Sequence, residues 1–414
     1  MAPPSQSLEG EAAEVIAGVR SAFAGVIGAL PTPINKAADV SRVLALSRKL
    51  GWQVWRVVDS PDPFTAAQHL PSPAGIDSFL RAAMAAGVGA ELVGSARSAA
   101  DKVESLVVTH AGDRRSLGMM IDSLAGEKRE QAEEQHRKLA FQANSFVWGS
   151  QVRTRLVLHV LTAGSEPGRA DGAIVNGLFG LRRNRPEAKR HLFSTGVRDA
   201  LATVHSPARE ALWPGATGGA VPSGLPLVPE FCSHPLPAIR QSEPRDGFVD
   251  FELAEWPMGE TGSVSIVTGE VFRNFATRYR RPGDTTANLT AHINRATELL
   301  VHNMIIREDV FRAVRPEALV YGELDRVERA EAARREDDRL PIRLSVGSPG
   351  AAATAAGFGA WAATPEVPRY SELLEWVFGR LGWDPREFVV HRLRMAYPVL
   401  PSAVVLRFDL PEGS

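Results

Sequence analysis

The chain has 414 residues, 44% of them hydrophobic and 23% charged, the composition of a globular protein long enough for two or three separately cored domains. Lys and Arg number 47 against 48 Asp and Glu, which excludes a whole-chain basic field and leaves any polyanion contact to a local patch. The single cysteine, Cys232, excludes an intramolecular disulfide framework and a multi-thiolate metal site; with no apolar run of about 20 residues and no signal-peptide order, a cytoplasmic protein without membrane contact is expected.

In chain order, the first element is a helix. Ala12, Val15, Ile16, Val19, Phe23, Val26, Ile27 and Leu30 follow a three-and-four spacing that puts all eight on one face, and Pro31 and Pro33 stop it. Two short helices are expected over Lys36 to Val58. After the Asp59-Ser60-Pro61-Asp62-Pro63 break, further helices are expected to about Gln151. In that run Ser72-Pro73 caps a helix carrying Ile76, Phe79 and Leu80, and Leu92, Ala96, Ala99, Val103, Leu106 and Val107 mark another.

From Val152 the period changes to two: Val152, Thr154, Leu156, Leu158 and Val160 alternate with the residues between them, as in a strand. Further strands are expected at Ala173 to Leu181, Phe248 to Leu253 and Ser263 to Thr268. Trp213 to Pro237, rich in Pro and Gly, reads as a long loop or linker. Thr285 to Val310 reads as a long helix, Arg326 to Asp338 as an exposed mixed-charge helix or linker, and Gly347 to Ala363 as an Ala/Gly-rich stretch. A helix over Ser371 to Leu381 and strands near Phe388 to Met395 and Ala403 to Phe408 complete the chain. The expected fold is therefore α+β, an all-helical N-terminal helix-turn-helix region followed by a mixed α+β C-terminal region. The division is residues 1–63 as a head, 64–151 as a helical region and 152–414 as the mixed part, with a further split near 213–245.

The most specific segment runs NKAADVSRVLALSRKLGWQVWRVV over Asn35 to Val58. Val40, Val43 and Leu44 form the inner face of its first helix, Ser41 is the small residue for a close approach, and Ala45-Leu46 makes the turn with Leu46 inward. Ser47 caps the second helix, whose buried stripe is Leu50, Val54 and Val57. Arg48, Lys49, Gln53 and Arg56 project from the other side. There the first two suit phosphates or guanine edges and Gln53 suits adenine. Lys36, Arg42, Arg48, Lys49 and Arg56 against Asp39 give a local net charge of +4.

This stretch resembles the helix-turn-helix of bacterial transcriptional regulators, over about residues 8–60 with the first helix as support. The resemblance implies double-stranded DNA as partner, with Lys36, Arg42, Arg48, Lys49, Gln53 and Arg56 as contact residues. It also implies a homodimer or higher homo-oligomer, and a C-terminal region that oligomerises or senses an unidentified small-molecule effector. The sequence departs from the family pattern in Ala45, where Gly is usual; Ala fits if that position stays out of the left-handed region. Trp52 and Trp55 lie on or beside the second helix, where one is expected to pack against later helices.

Other candidates favour structure over chemistry. The cluster Arg182, Arg183, Arg185, Lys189 and Arg190 reads as a solvated loop, His292 and His302 lack a third metal ligand at diagnostic spacing, and Cys232 with His234 lacks a local base. No cofactor is expected, and the chain does not read as an enzyme. Two other readings stay open: a self-assembling structural protein anchored by Trp52 and Trp55, and an enzyme whose α+β site leaves no motif.

Overall fold

The computed structural model describes residues 7–124, 129–196, 208–213, 225–243, 248–283, 285–311, 314–322 and 336–413. The chain divides into two compact units, Met1–Gln135 and His136–Ser414. The first unit is helical and the second is built mainly on β-sheet, so the chain as a whole is mixed α+β. Among the described residues, no helix is long and apolar enough to cross a membrane.

The first unit contains α1 (Leu8–Gly28), α2 (Ala37–Val43), α3 (Arg48–Asp59), α4 (Pro63–Ala67), α5 (Pro73–Ala85), α6 (Ala90–Leu106) and α7 (Arg114–Leu124), with α8 (Arg129–Val147) crossing the boundary. Sequence-local devices set the starts. Ser7, Ser47, Asp62 and Ser72 each accept a hydrogen bond from a first-turn backbone N–H, and Pro63 and Pro73 occupy first-turn positions that need no N–H partner. The predicted α1 stripe is the centre of the helical core: Ile16, Val19, Phe23 and Val26 are fully buried, and α1 packs against α3, α4, α6 and α7. Phe23 meets Phe79 of α5 at a 5.0 Å ring separation. Burying such rings contributes about 1.5–3 kcal/mol each, which ties α1 to α5.

The second unit is organised on a seven-stranded sheet. Its strands are β1 (Ser150–Ala163), β2 (Arg169–Arg183), β4 (Ala208–Ala211), β7 (Val264–Thr277), β9 (Ala296–Arg307), β11 (Gly347–Ala351) and β14 (Phe388–Ala396), in the order β11-β14-β9-β1-β2-β7-β4. All its neighbours are antiparallel except β1 and β9, which run parallel at the centre. Smaller sheets are β3 (His191–Gly196), β6 (Phe248–Leu253) and β5 (Ile239–Gln241); β10 (Glu317–Gly322), β15 (Ser402–Asp409) and β8 (Thr286–Ile293); and the hairpin β12 (Ala353–Thr354) with β13 (Gly357–Phe358).

Alternation decides which side chains face which layer. Leu156, Leu158, Val160 and Val301 join a core with Leu373, Leu374, Val377 and Phe378 of α9 (Tyr370–Leu381). Val157, Leu161, Leu300, Met304 and Ile306 point the other way, into a second core shared with Val404 and Leu406 of β15 and with Leu289 and Ile293 of β8. Some polar groups inside these layers are bonded to one another. On the α9 side Asn303 donates to Tyr370 Oη at 2.5 Å and accepts from Arg392 Nε at 2.8 Å, and burial pushes the Tyr370 phenol up to about 12.

One expectation is corrected. Thr285 to Val310 is two strands, β8 and β9, joined through Asn294 and Arg295, and not a long helix. Leu300 to Ile306 is buried on both faces because β9 lies inside the sheet, so its alternation is masked. Trp213 to Pro237 is a loop in its described part, and Leu225, Leu227, Val228, Phe231 and Cys232 bury it in the α9-side core; residues 214–224 lie outside the described residues. Most of Arg326 to Asp338 also lies outside them, and its described end places Glu336 on Tyr321 and Arg407.

Candidate nucleic-acid interface

Helices α2 and α3 are joined by four residues, Leu44 to Ser47, and their approach is set by three local choices. Ala45 has φ of 51°, in the left-handed region. The condition under which Ala fits there without strain is not met: the turn keeps the backbone that usually calls for Gly and carries the strain of a Cβ there. Gly51 faces Ser41 so closely that a Cβ on it would lie 2.8 Å from the Ser41 backbone N. Ser47 Oγ accepts from Leu50 N–H at 3.2 Å and starts α3 as expected. Two substitutions should therefore move stability in opposite directions. Ala45→Gly relieves a left-handed Ala and is expected to stabilise the first unit by about 1 kcal/mol. Gly51→Val forces the helices apart and is expected to destabilise it by about 1–3 kcal/mol. Thermal unfolding of both variants checks the pair, and a gain for Gly51→Val would contradict the geometry.

The rest of the segment follows the spacing. Val40, Leu44, Val54 and Val57 are buried, with Leu46 and Leu50 packed against the same core. Arg20 of α1 donates to the Ser60 carbonyl and ties down the end of α3. At about 100° per residue, Arg48, Trp52, Arg56, Lys49 and Gln53 fall in that angular order on one arc of roughly 140°, opposite the arc of Leu50, Val54 and Val57. Arg48 and Lys49 are exposed in the first turn; Gln53 and Arg56 are half-buried.

Charge is distributed less evenly than the local count of +4 suggests. Arg42 pairs with Asp39 at 2.9 Å, and Arg56 with Asp59 at 3.6 Å, Asp59 lying just beyond the counted window. Lys36, exposed immediately before α2, and Arg48 and Lys49 have no carboxylate within ion-pair distance among the described residues. The structure thus brings Arg48, Lys49, Gln53 and Arg56 onto one helix face, with Lys36 and Arg42 on and before the neighbouring helix. Trp55 is the tryptophan that packs into the helical core. Trp52 stands on the polar arc between Arg48 and Arg56, 47% exposed, its ring edge-on to His69 at 5.1 Å. The sequence reading left Trp52 out of the contact set, although its position four residues after Arg48 and four before Arg56 places it between them.

The remaining candidate residues are placed as follows. Cys232 is buried with Sγ donating to the Val228 carbonyl at 3.3 Å, and burial raises its thiol to about 11, far from a nucleophile's range. His292 lies on β8 and His302 on β9, and among the described residues no group of three His, Cys, Asp or Glu could hold a metal ion. In the second basic cluster, Arg182 shares Glu260 with Arg153, and Arg185 sits 3.5 Å from Glu187. Comparison with known proteins adds no relative: no family model matches the chain, no curated protein is similar to it and no solved structure matches the fold.

Proposed function

We propose that the protein is a DNA-binding transcriptional regulator in which α2 and α3 act as a helix-turn-helix and α3 enters the major groove. The carrying observation is the placement of Arg48 and Lys49. Both occupy the first turn of α3, at the positive end of the helix dipole, with no acidic residue in that turn. Folding alone disfavours cations there by about 0.3–1 kcal/mol each, whereas the same geometry presents them, and the free N–H groups beside them, to a phosphate backbone. Gln53, one turn further along, is the residue suited to reading an adenine edge, and Trp52 beside it offers an apolar contact to a thymine methyl.

Three unpaired cations per head give weak contact, so the functional unit is a homodimer or a higher homo-oligomer of this chain. Self-association is supported by Phe146, Val147 and Trp148 at the end of α8, all large, apolar and exposed, Phe146 at 68%. The second unit serves as the oligomerising or effector-sensing part. Electrophoretic mobility of the purified chain on genomic fragments tests the reading. Gln53→Ala is expected to erase preference among fragments, a change of about 1–3 kcal/mol at one base position, while salt-sensitive binding persists. An unaltered fragment preference would remove Gln53 from the reading face.

A further inference from the structure

The second unit holds two guanidinium groups that its fold does not neutralise. Arg155 lies on β1, and Arg295 lies in the two-residue link between β8 and β9. They line one cavity of about 180 Å³ together with Asn176 of β2, Thr268 and Glu270 of β7, and Asn294. Arg155 donates to Asn176 Oδ1 at 3.0 Å, and its Nε is buried with no hydrogen-bond partner. Arg295 spends one terminal nitrogen on the carbonyls of His191 and Leu192.

Neither arginine forms an ion pair with a carboxylate among the described residues. Glu270 lies on the same wall and has an interaction of its own. The groups that perturb Arg155 are its burial and then the positive charge of Arg295, which bring it down to about 10; burial alone brings Arg295 to about 10. Two cations that repel each other in a partly desolvated cavity are costly unless an anion enters, and an entering oxyanion converts the repulsion into attraction. On the same lining the side-chain amides of Asn176 and Asn294 and the Thr268 hydroxyl can also donate hydrogen bonds.

We propose that this cavity binds one compact oxyanion group, a phosphate or a carboxylate, between Arg155 and Arg295. The volume admits a phosphate or a short-chain acid. The site extends the sensing half of the proposed function, and it is measured without DNA, so it stands or fails separately from the helix-turn-helix.

Isothermal titration of the full chain with inorganic phosphate, phenyl phosphate and acetate, each against sodium chloride at equal ionic strength, tests it. At least one probe is expected to bind saturably at one site per chain and to raise the melting temperature. Arg155→Met and Arg295→Met are each expected to weaken that binding at least 10-fold, and Arg295→Lys to keep part of it. Phosphate binding without acetate binding would identify a phosphoryl ligand, and the reverse a carboxylate. If a methionine variant fails to fold, Asn176→Leu, which removes a partner of Arg155 without removing charge, is expected to weaken binding several-fold. No saturable heat with any probe, or binding unchanged in the arginine variants, overturns the proposal.

Discussion

Replacing Arg48 and Lys49 together with alanine is expected to weaken binding to duplex DNA by roughly 10- to 100-fold near 0.1 M salt, and to lower the slope of log K against log salt by about two. The two effects have one origin, since each ammonium or guanidinium on a phosphate releases about one condensed counterion. The fold should be indifferent to the change. Both side chains are exposed, neither pairs with a carboxylate among the described residues, and removing cations from the first turn of α3 relieves the helix dipole. The melting temperature of the double variant is therefore expected to stay level or rise slightly while affinity falls. A loss of affinity accompanied by a matching loss of stability would mean that these residues hold the head together and do not contact DNA.

Acidification is expected to destabilise the second unit steeply between about pH 6.5 and pH 5, before most carboxylates protonate. His159 on β1 and His302 on β9 lie side by side in the core facing β15, with His302 Nε2 3.2 Å from His159 Nδ1 and His302 Nδ1 buried without a partner. Burial lowers both imidazoles, and the charges of His159 and Arg155 lower His302 further. In the unfolded chain each takes up a proton as pH falls through about 6.5. In the native sheet both stay neutral, so the unfolded state binds more protons and stability drops with falling pH, by about 1.4 kcal/mol per pH unit for each imidazole well below that point. By pH 5 the pair accounts for about 4 kcal/mol, to which the partly buried His191 and His391, also lowered by burial, add smaller amounts in the same window. Denaturant unfolding from pH 8 to pH 5 reads this directly. His302→Leu is expected to halve the contribution of the pair, and a pH-independent midpoint across this range would show that these groups are not held neutral.

How much of this was legible beforehand depended on whether a signal was local. Residues 12–60 carry their own instructions. Helical spacing, Ser47 as a cap, Ser41 as the small residue and the Pro breaks all act within a few positions, and the two helices and their buried stripe follow them. The close approach of Gly51 to Ser41 and the left-handed Ala45 were written in the same window, but their conformations become visible only once the helices are placed. The second unit shows the opposite case. Leu300 to Ile306 has no alternation because neighbours cover both faces, and it was read as helix. The preceding Ala287, Leu289, Ala291 and Ile293 did alternate and could have marked β8 as a strand. Arg155 and Arg295, like His159 and His302, are about 140 residues apart and meet only through the parallel pairing of β1 with β9 and the link before it. No spacing rule joins residues that far apart, which is why the sequence reading treated His302 as unremarkable and did not single out either arginine.

The central claim, that α3 places Arg48, Lys49 and Gln53 on a DNA duplex, is tested most directly by selecting binding sites for the wild-type chain from a randomised duplex pool. The selected duplex is then titrated by fluorescence anisotropy from 50 to 300 mM salt. The account predicts enrichment of a paired half-site, centre-to-centre about one helical turn or a multiple of it, bound with affinity that falls steeply with salt. A pool that stays unenriched, with no saturable binding at 50 mM salt, would contradict it.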